Sequence, residues 1–223
     1  MIETMSDESV SEQAYRNIRN DIIFGHLRPS ERLRLEALRK RYDVSVTTLR
    51  EILNRLTSDG FVIAEGQKGF EVAPISDADL REIAELRILL ETHALRLSFE
   101  KGDLDWEASV VAAYHKLHVL ELRMISGDTS VKEAWKRSDW GFHHALIAGC
   151  GSRFLLQTHG QVFDKYLRYQ MLALTFRGER ASIEHKQLLD SALSRDIATG
   201  VQVLSQHISG GVDHAIANRV EGV

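Results

Sequence analysis

Apolar residues recur along this chain mostly at three- and four-residue intervals, so the pattern predicts a mainly α protein. Over residues 13–24, Tyr15, Ile18 and Ile22 form the stripe of an amphipathic helix that Gly25 ends. A turn around Pro29 leads into a second helix over 33–42, where Leu35, Leu38 and Tyr42 share a face. Asp43-Val44-Ser45 is a short turn, and Ser45 is placed to cap a third helix running from Val46 towards Gly60. Leu49, Ile52, Leu53 and Leu56 fall at i, i+3, i+4 and i+7 and give that helix its buried side; Thr47, Arg50, Glu51 and Asn54 point the other way. Two short helices joined by a tight turn, the second showing polar side chains, make a helix-turn-helix.

Beyond Gly60 the periodicity shifts to β. Phe61–Ala64 and Phe70–Ala73 flank a turn containing Gly66 and Gly69, which predicts a hairpin with Lys68 at its tip, the wing of a winged helix-turn-helix. Pro74 breaks the chain, and Ser76 with Asp79 resembles a capping box opening a new helix. From there to the end no proline interrupts the helical pattern, and six helices are expected over 77–100, 104–126, 130–149, 152–176, 180–194 and 197–218. The expected organisation is a flexible arm over 1–11, a winged helix-turn-helix over 12–75 and an all-α six-helix bundle over 76–223.

Composition refines this picture. The single cysteine, Cys150, cannot form an internal disulfide; the N-terminus lacks the basic-then-apolar order of a secretory signal; and no apolar run reaches the ~18 residues of a membrane span. A cytoplasmic protein without a membrane partner is expected. The net charge of −4 argues superficially against nucleic acid. Yet Arg28, Arg32, Arg34, Arg39, Lys40 and Arg41 crowd one short stretch against only Glu31 and Glu36, the local footprint of a module that meets phosphate.

Two constellations carry candidate chemistry. On the third helix, Arg50 can offer two hydrogen bonds to guanine and Asn54 two to adenine, while Thr47 can meet a thymine methyl or a phosphate. Arg34 and Arg39 suit positioning on phosphates. Arg50 could instead pair with Glu36 or Glu51, and Lys68 could be a plain solvated turn lysine. In the helical part, Asp139 and His143 emerge from one helix face four residues apart, and His185 and His207 stand on two further helices. Three imidazoles with a carboxylate suit zinc, nickel or a similar divalent ion, although on spacing alone core or surface roles are the commoner reading. His144 points off that face, and His93, His115, His118, His159 and His214 have no motif around them. Such a cluster could also activate water in a metal-dependent hydrolase, but no general base is evident beside it.

With Ser45-Val-Thr-Thr-Leu-Arg50-Glu51, Asp59-Gly-Phe61 and Lys68-Gly69-Phe70 in view, the first 75 residues resemble the GntR family of winged-helix regulators. Residues 79–95 are similar to the opening helix of the FCD effector domain of its FadR branch, and Asp139-Trp-Gly-Phe142-His143, Glu184-His185 and Gln206-His207 match later motifs. The resemblance implies DNA contacts from Arg34, Ser45, Thr47, Thr48, Arg50, Asn54, Lys68 and Gly69, and a divalent metal held by Asp139, His143, His185 and His207. It further implies a homodimer on a palindromic duplex, and repression relieved by a small carboxylic acid that Arg87 could pair through its guanidinium, unless Arg87 bridges Glu82 or Glu91. GQKGF at 66–70 and FHHALIAGCGS at 142–152 are similar to carbon-starvation-induced repressors that answer to glutarate. Val46 stands where many relatives have arginine, and the asparagine common after the FH motif is replaced around Ser152; these departures leave the operator sequence and the turn before the next helix open.

Overall fold

The computed structural model describes residues 9–64, 66, 69–172 and 176–218. The chain divides between Ser76 and Asp77 into two compact units. The first contains α1 (Val10–Ile23), α2 (Leu35–Tyr42), α3 (Val46–Ser58) and strands β1 (Arg32–Leu33), β2 (Val62–Ala64) and β3 (Phe70–Val72). The second contains six α-helices among the described residues: α4 (Asp77–Lys101), α5 (Leu104–Ile125), α6 (Lys132–Ile147), α7 (Arg153–Leu172), α8 (Glu179–Ser194) and α9 (Ile197–Ala217). A mainly α winged helix-turn-helix followed by a helical bundle is thus the observed architecture.

In the first unit, α3 is held from behind by the predicted stripe: Leu49, Leu53 and Leu56 are fully buried and Ile52 nearly so, packed with Ile18 and Ile22 of α1 and Leu38 of α2. Its ends are fixed locally. Ser45 Oγ accepts the Thr48 amide at 3.1 Å. At the other end Phe61 N–H donates to Leu56 and Gly60 N–H to Thr57, with Gly60 at φ 80°, the paired closure that needs a left-handed residue. Arg55 turns away from the exposed face: it donates to Glu12 at 2.6 Å and lies over the Tyr15 ring, tying α3 to α1.

Three boundaries differ from the sequence reading. The wing is a three-stranded antiparallel sheet in the order β1-β3-β2, with Arg32 opposite Glu71 and Leu33 opposite Phe70. Leu33 was expected in a helix; it is buried instead as a strand residue, and Val72 bonds both ways to Ser30 and Glu31, so α2 starts only at Leu35. The first helix begins at Val10, within the stretch expected to be an arm, because Ser9 caps it through the Glu12 amide; residues 1–8 lie outside the described residues. Of the predicted helix over 152–176, α7 covers Arg153–Leu172; residues 173–175 lie outside the described residues, and Phe176 and Arg177 are irregular before Gly178.

In the bundle, α5 packs on α6 and α8, and α4 packs on α6, α7 and α9. Arg195 at the end of α8 ties the α4–α5 corner by donating to Gly102 O at 2.7 Å and to Glu107 at 2.5 Å. The facing sides of these helices meet in a core containing Leu95, Leu117, Phe142, Leu146, Leu188 and Leu204, all fully buried. The same core also holds a large polar cluster.

Candidate functional site

On the first unit, α3 presents Thr47, Arg50, Glu51 and Asn54 to solvent, with Arg34 exposed at the start of α2. Glu36 pairs with Arg39 at 3.2 Å, and no ion pair among the described residues engages Arg50. The hydroxyls of Ser45 and Thr48 lie 2.9 Å apart at the helix cap, so these side chains shape the start of α3. Gly69 sits in the wing at φ 99°, a left-handed conformation that favours glycine; Lys68 lies outside the described residues. An exposed, polar helix edge backed by four apolar anchors and flanked by a wing can enter a major groove.

The second unit brings Asp139, His143, His185 and His207 together from α6, α8 and α9, with candidate ligand atoms within 4.8 Å of one another and all four side chains buried. Each imidazole is oriented by a different carboxylate. His143 Nδ1 meets Glu91 and lies 3.0 Å from the Arg87 guanidinium, His185 Nδ1 meets Glu121 at 2.6 Å, and His207 Nδ1 meets Glu184 at 2.8 Å and lies 2.9 Å from the Arg177 guanidinium; the carboxylate partners call for the proton on Nδ1. That arrangement leaves the Nε2 atoms for another partner, as in metal sites whose histidines are held by outer carboxylates. His143 Nε2 and His185 Nε2 are buried without a hydrogen bond, although His185 Nε2 lies 3.2 Å from Asp139 Oδ1. Unpaired buried nitrogens facing one carboxylate are a donor set that fits a divalent transition-metal ion.

The buried charges are arranged in pairs. Arg87 meets Glu91, Lys136 meets Asp139, and Arg177 and Arg180 both meet Glu184, which leaves Glu121 to the His118 and His185 rings. Burial opposes ionisation of Asp139, but Lys136 and His185 outweigh it and hold the carboxyl well below the usual range. Burial likewise works against Glu91, whose carboxyl Arg87 and His143 keep well below that range. For His185, burial disfavours the imidazolium, yet Asp139 and Glu121 push it up to about 9. A proton or a metal cation answers the same carboxylates there. His207 moves well below the ordinary imidazole value through burial and the neighbouring His185.

Arg87, Lys136 and Arg177 line a small cavity of roughly 20 Å3, room for about one water, beside Asp139, His185 and His207. Arg87 is almost completely buried, donates to Glu91 at 2.7 Å and lies over the rings of both Phe163 and Tyr166. The Glu91 bridge left open by the sequence is therefore made, while the guanidinium still borders the cavity. Lys136 sits 3.4 Å from Asp139, and Arg177 donates to Glu184 at 2.6 Å. Both cations and the outer carboxylate Glu121 escaped the sequence reading, which named Glu91 only as a partner for Arg87. Lys136 carried a faint signal, one helical turn before Asp139; Glu121 and His185 are 64 positions apart and carried none. His159, without motif support, proves fully buried and donates through Nε2 to Glu91 at 3.0 Å, so that one carboxylate serves Arg87, His143 and His159. His144 instead stacks on Trp140.

Gly211 of α9 borders the same cavity, where any Cβ would collide with the Tyr166 hydroxyl. Gly211→Ala is therefore expected to lower the melting temperature of the bundle despite alanine's ~1 kcal/mol helix advantage, because overpacking costs about 1–3 kcal/mol. A rise in thermal melting would contradict this packing.

Among the described residues no helix is long and apolar enough to cross a membrane. Residues 10–72 match the bacterial regulatory proteins of the gntR family, and residues 82–210 match the FCD domain. The chain is 36% identical over 204 residues to the HTH-type transcriptional repressor GlaR of Escherichia coli, covering 87% of this chain and 90% of that protein. It is 35% identical over 206 residues to the HTH-type transcriptional regulator BphR of Paraburkholderia xenovorans, covering 92% and 84%. In fold it is similar to E. coli McbR/YncC, with a TM-score of 0.80 at 20% identity over 94% of this chain and 98% of that one. The metal-free FCD domain of TM0439 superimposes with a TM-score of 0.54 at 20% identity, covering 66% of this chain and 97% of that domain. These relatives and domains are those of regulators, not enzymes, which sets the hydrolase reading aside. An exposed reading helix with its wing, followed by a helical unit of FCD type, thus joins sequence and fold in one assignment: the chain belongs to the GntR family and is a DNA-binding transcriptional regulator with an FCD domain.

Proposed function

We propose that this regulator is a repressor that works as a homodimer on a palindromic operator in the cytoplasm, and releases it when a small organic acid enters the FCD cavity. Residues 12–75 form the DNA-binding domain and 76–223 the sensing and dimerising domain, after a short N-terminal arm. Arg50 and Asn54 read base edges, Thr47 assists, and Arg34 with Lys68 and the Gly69 backbone anchors phosphates; Ser45 and Thr48 act by setting the first turn of α3. Repression is supported by the resemblance to GlaR, whose name describes a repressor.

The observation that carries the sensing role is the cation-lined cavity beside four buried candidate ligands from three helices. Asp139, His143, His185 and His207 would hold a divalent ion, zinc or nickel by their mixed nitrogen and oxygen donors. When bound, such an ion supplies a Lewis-acidic anchor for a carboxylate. Arg87, Lys136 and Arg177 attract the anion and orient it, and Glu91, Glu121 and Glu184 fix the imidazoles. A dicarboxylate such as glutarate fits this charge pattern and the resemblance to glutarate-answering repressors. Release from DNA requires the acid to bind the non-binding conformation more tightly than the DNA-bound one; coupling of this kind is commonly 5–150-fold.

A thermal-shift screen of mono- and dicarboxylates, with and without added zinc or nickel, tests the reading. A genuine ligand at 100 times its Kd is expected to stabilise the protein by about 2.7 kcal/mol. No acid raising the melting temperature under either condition would remove the sensing role and leave a DNA-binding regulator whose bundle serves another purpose.

A further inference from the structure

The bundle has an apolar face that its own packing does not use. The inner side of α5 buries Trp106, Val110 and Leu117. Its outer side exposes Leu104, Val111, Val119, Leu122 and Ile125, five of the twelve large apolar side chains exposed among the described residues. A helix covered on one side only should be polar on the other. On a wheel of about 100° per residue, Leu104, Ala108, Val111, Val119 and Leu122 all fall within about 40° of His115, forming one continuous stripe.

The stripe is symmetric about its centre. Val111 and Val119 stand four residues either side of His115, and Ala108 and Leu122 seven either side. An antiparallel copy turned about a two-fold axis at His115 therefore sets each valine against the other copy's opposite valine and each Leu122 over the small Ala108 of the other helix. Charge follows the same operator. Asp105 near the start and Arg123 near the end lie on the same flank, about 80° from the stripe, and a two-fold axis keeps flanks together, so acid meets base at both ends. Arg123 already donates to Asp128 at 2.6 Å but stays half exposed, leaving its guanidinium accessible.

We propose that the outer face of α5 is the contact between two copies of this chain, packed antiparallel about a two-fold axis at His115. This rests on the homodimer reading above and adds the surface that makes it. Leu86 and Leu89 of α4 are also exposed.

The full-length protein offers a direct test. In His115→Cys the new thiol lies on the axis, so mild oxidation is expected to give a disulfide-linked dimer; the native Cys150 is buried and gives little background. Leu89→Cys, on α4, should crosslink far less. Val119→Glu buries two unpaired carboxylates in the contact and is expected to raise the dimer dissociation constant at least about 100-fold in sedimentation velocity, with helical circular dichroism unchanged. A dimer that survives Val119→Glu, or that crosslinks through Leu89→Cys and not His115→Cys, overturns the α5 contact and leaves the homodimer reading intact. An unsubstituted chain that stays monomeric at all concentrations overturns both.

Discussion

Asp139→Asn and His207→Ala are each expected to lower zinc or nickel affinity by more than the roughly 10–100-fold that loss of an outer orienting partner costs. Each removes a donor from a buried four-residue set in which the remaining groups cannot move out to water. Glu121→Gln removes only the carboxylate behind His185, and its expected loss stays within that 10–100-fold range. Titration with each metal, followed calorimetrically, reads the series. Equal affinity in Asp139→Asn and the unsubstituted protein would mean that metal binds elsewhere. The variants should keep their affinity for operator DNA in the absence of acid, since none of these residues lies in the reading helix; what they should lose is the response to acid.

The second large effect is expected on α3. Arg50→Ala should cost about 1–3 kcal/mol of operator binding, about 5–150-fold in Kd, and should relax discrimination at one base pair of each half-site. Arg34→Ala should weaken binding to all duplexes alike and reduce the salt slope by about one, the mark of a phosphate contact. Arg55→Ala separates the two faces of the helix: its guanidinium is held by Glu12 and Tyr15, so the change should touch stability before DNA affinity. Fluorescence anisotropy at several salt concentrations measures all three. An Arg50→Ala protein that binds its operator normally would place base reading on another element.

Much of this was legible from the residues, and the reasons are physical. Leu49, Ile52, Leu53 and Leu56 repeat at helical spacing, Ser45 caps and Gly60 closes, so α3 is specified by neighbours in sequence. The six bundle helices show the same local consistency. What stayed hidden depends on distant partners. The two-residue strand β1 exists only because β3 comes back to pair with it, and its apolar Leu33 fits the helical pattern on either side equally well. The four metal candidates were named through a family resemblance, since their spacing alone favoured core or surface roles, and the fold brings them together. The pairing of carboxylates with the imidazoles was invisible: Glu91 reaches His143 across 52 positions and His159 across 68. Arg87 shows both sides, because its i+4 partner Glu91 was readable and its contacts with the Phe163 and Tyr166 rings were not.

The central claim is that anion binding in the cavity beside Asp139, His143, His185 and His207 controls the grip of α3 on DNA. The decisive measurement is the Kd for the operator upstream of the protein's own or neighbouring genes, with metal bound, as a dicarboxylate series is titrated in. At least one acid is expected to weaken binding about 5–150-fold, and that effect is expected to vanish in Asp139→Asn. Operator affinity unchanged by every acid, or weakened equally in Asp139→Asn, would contradict it.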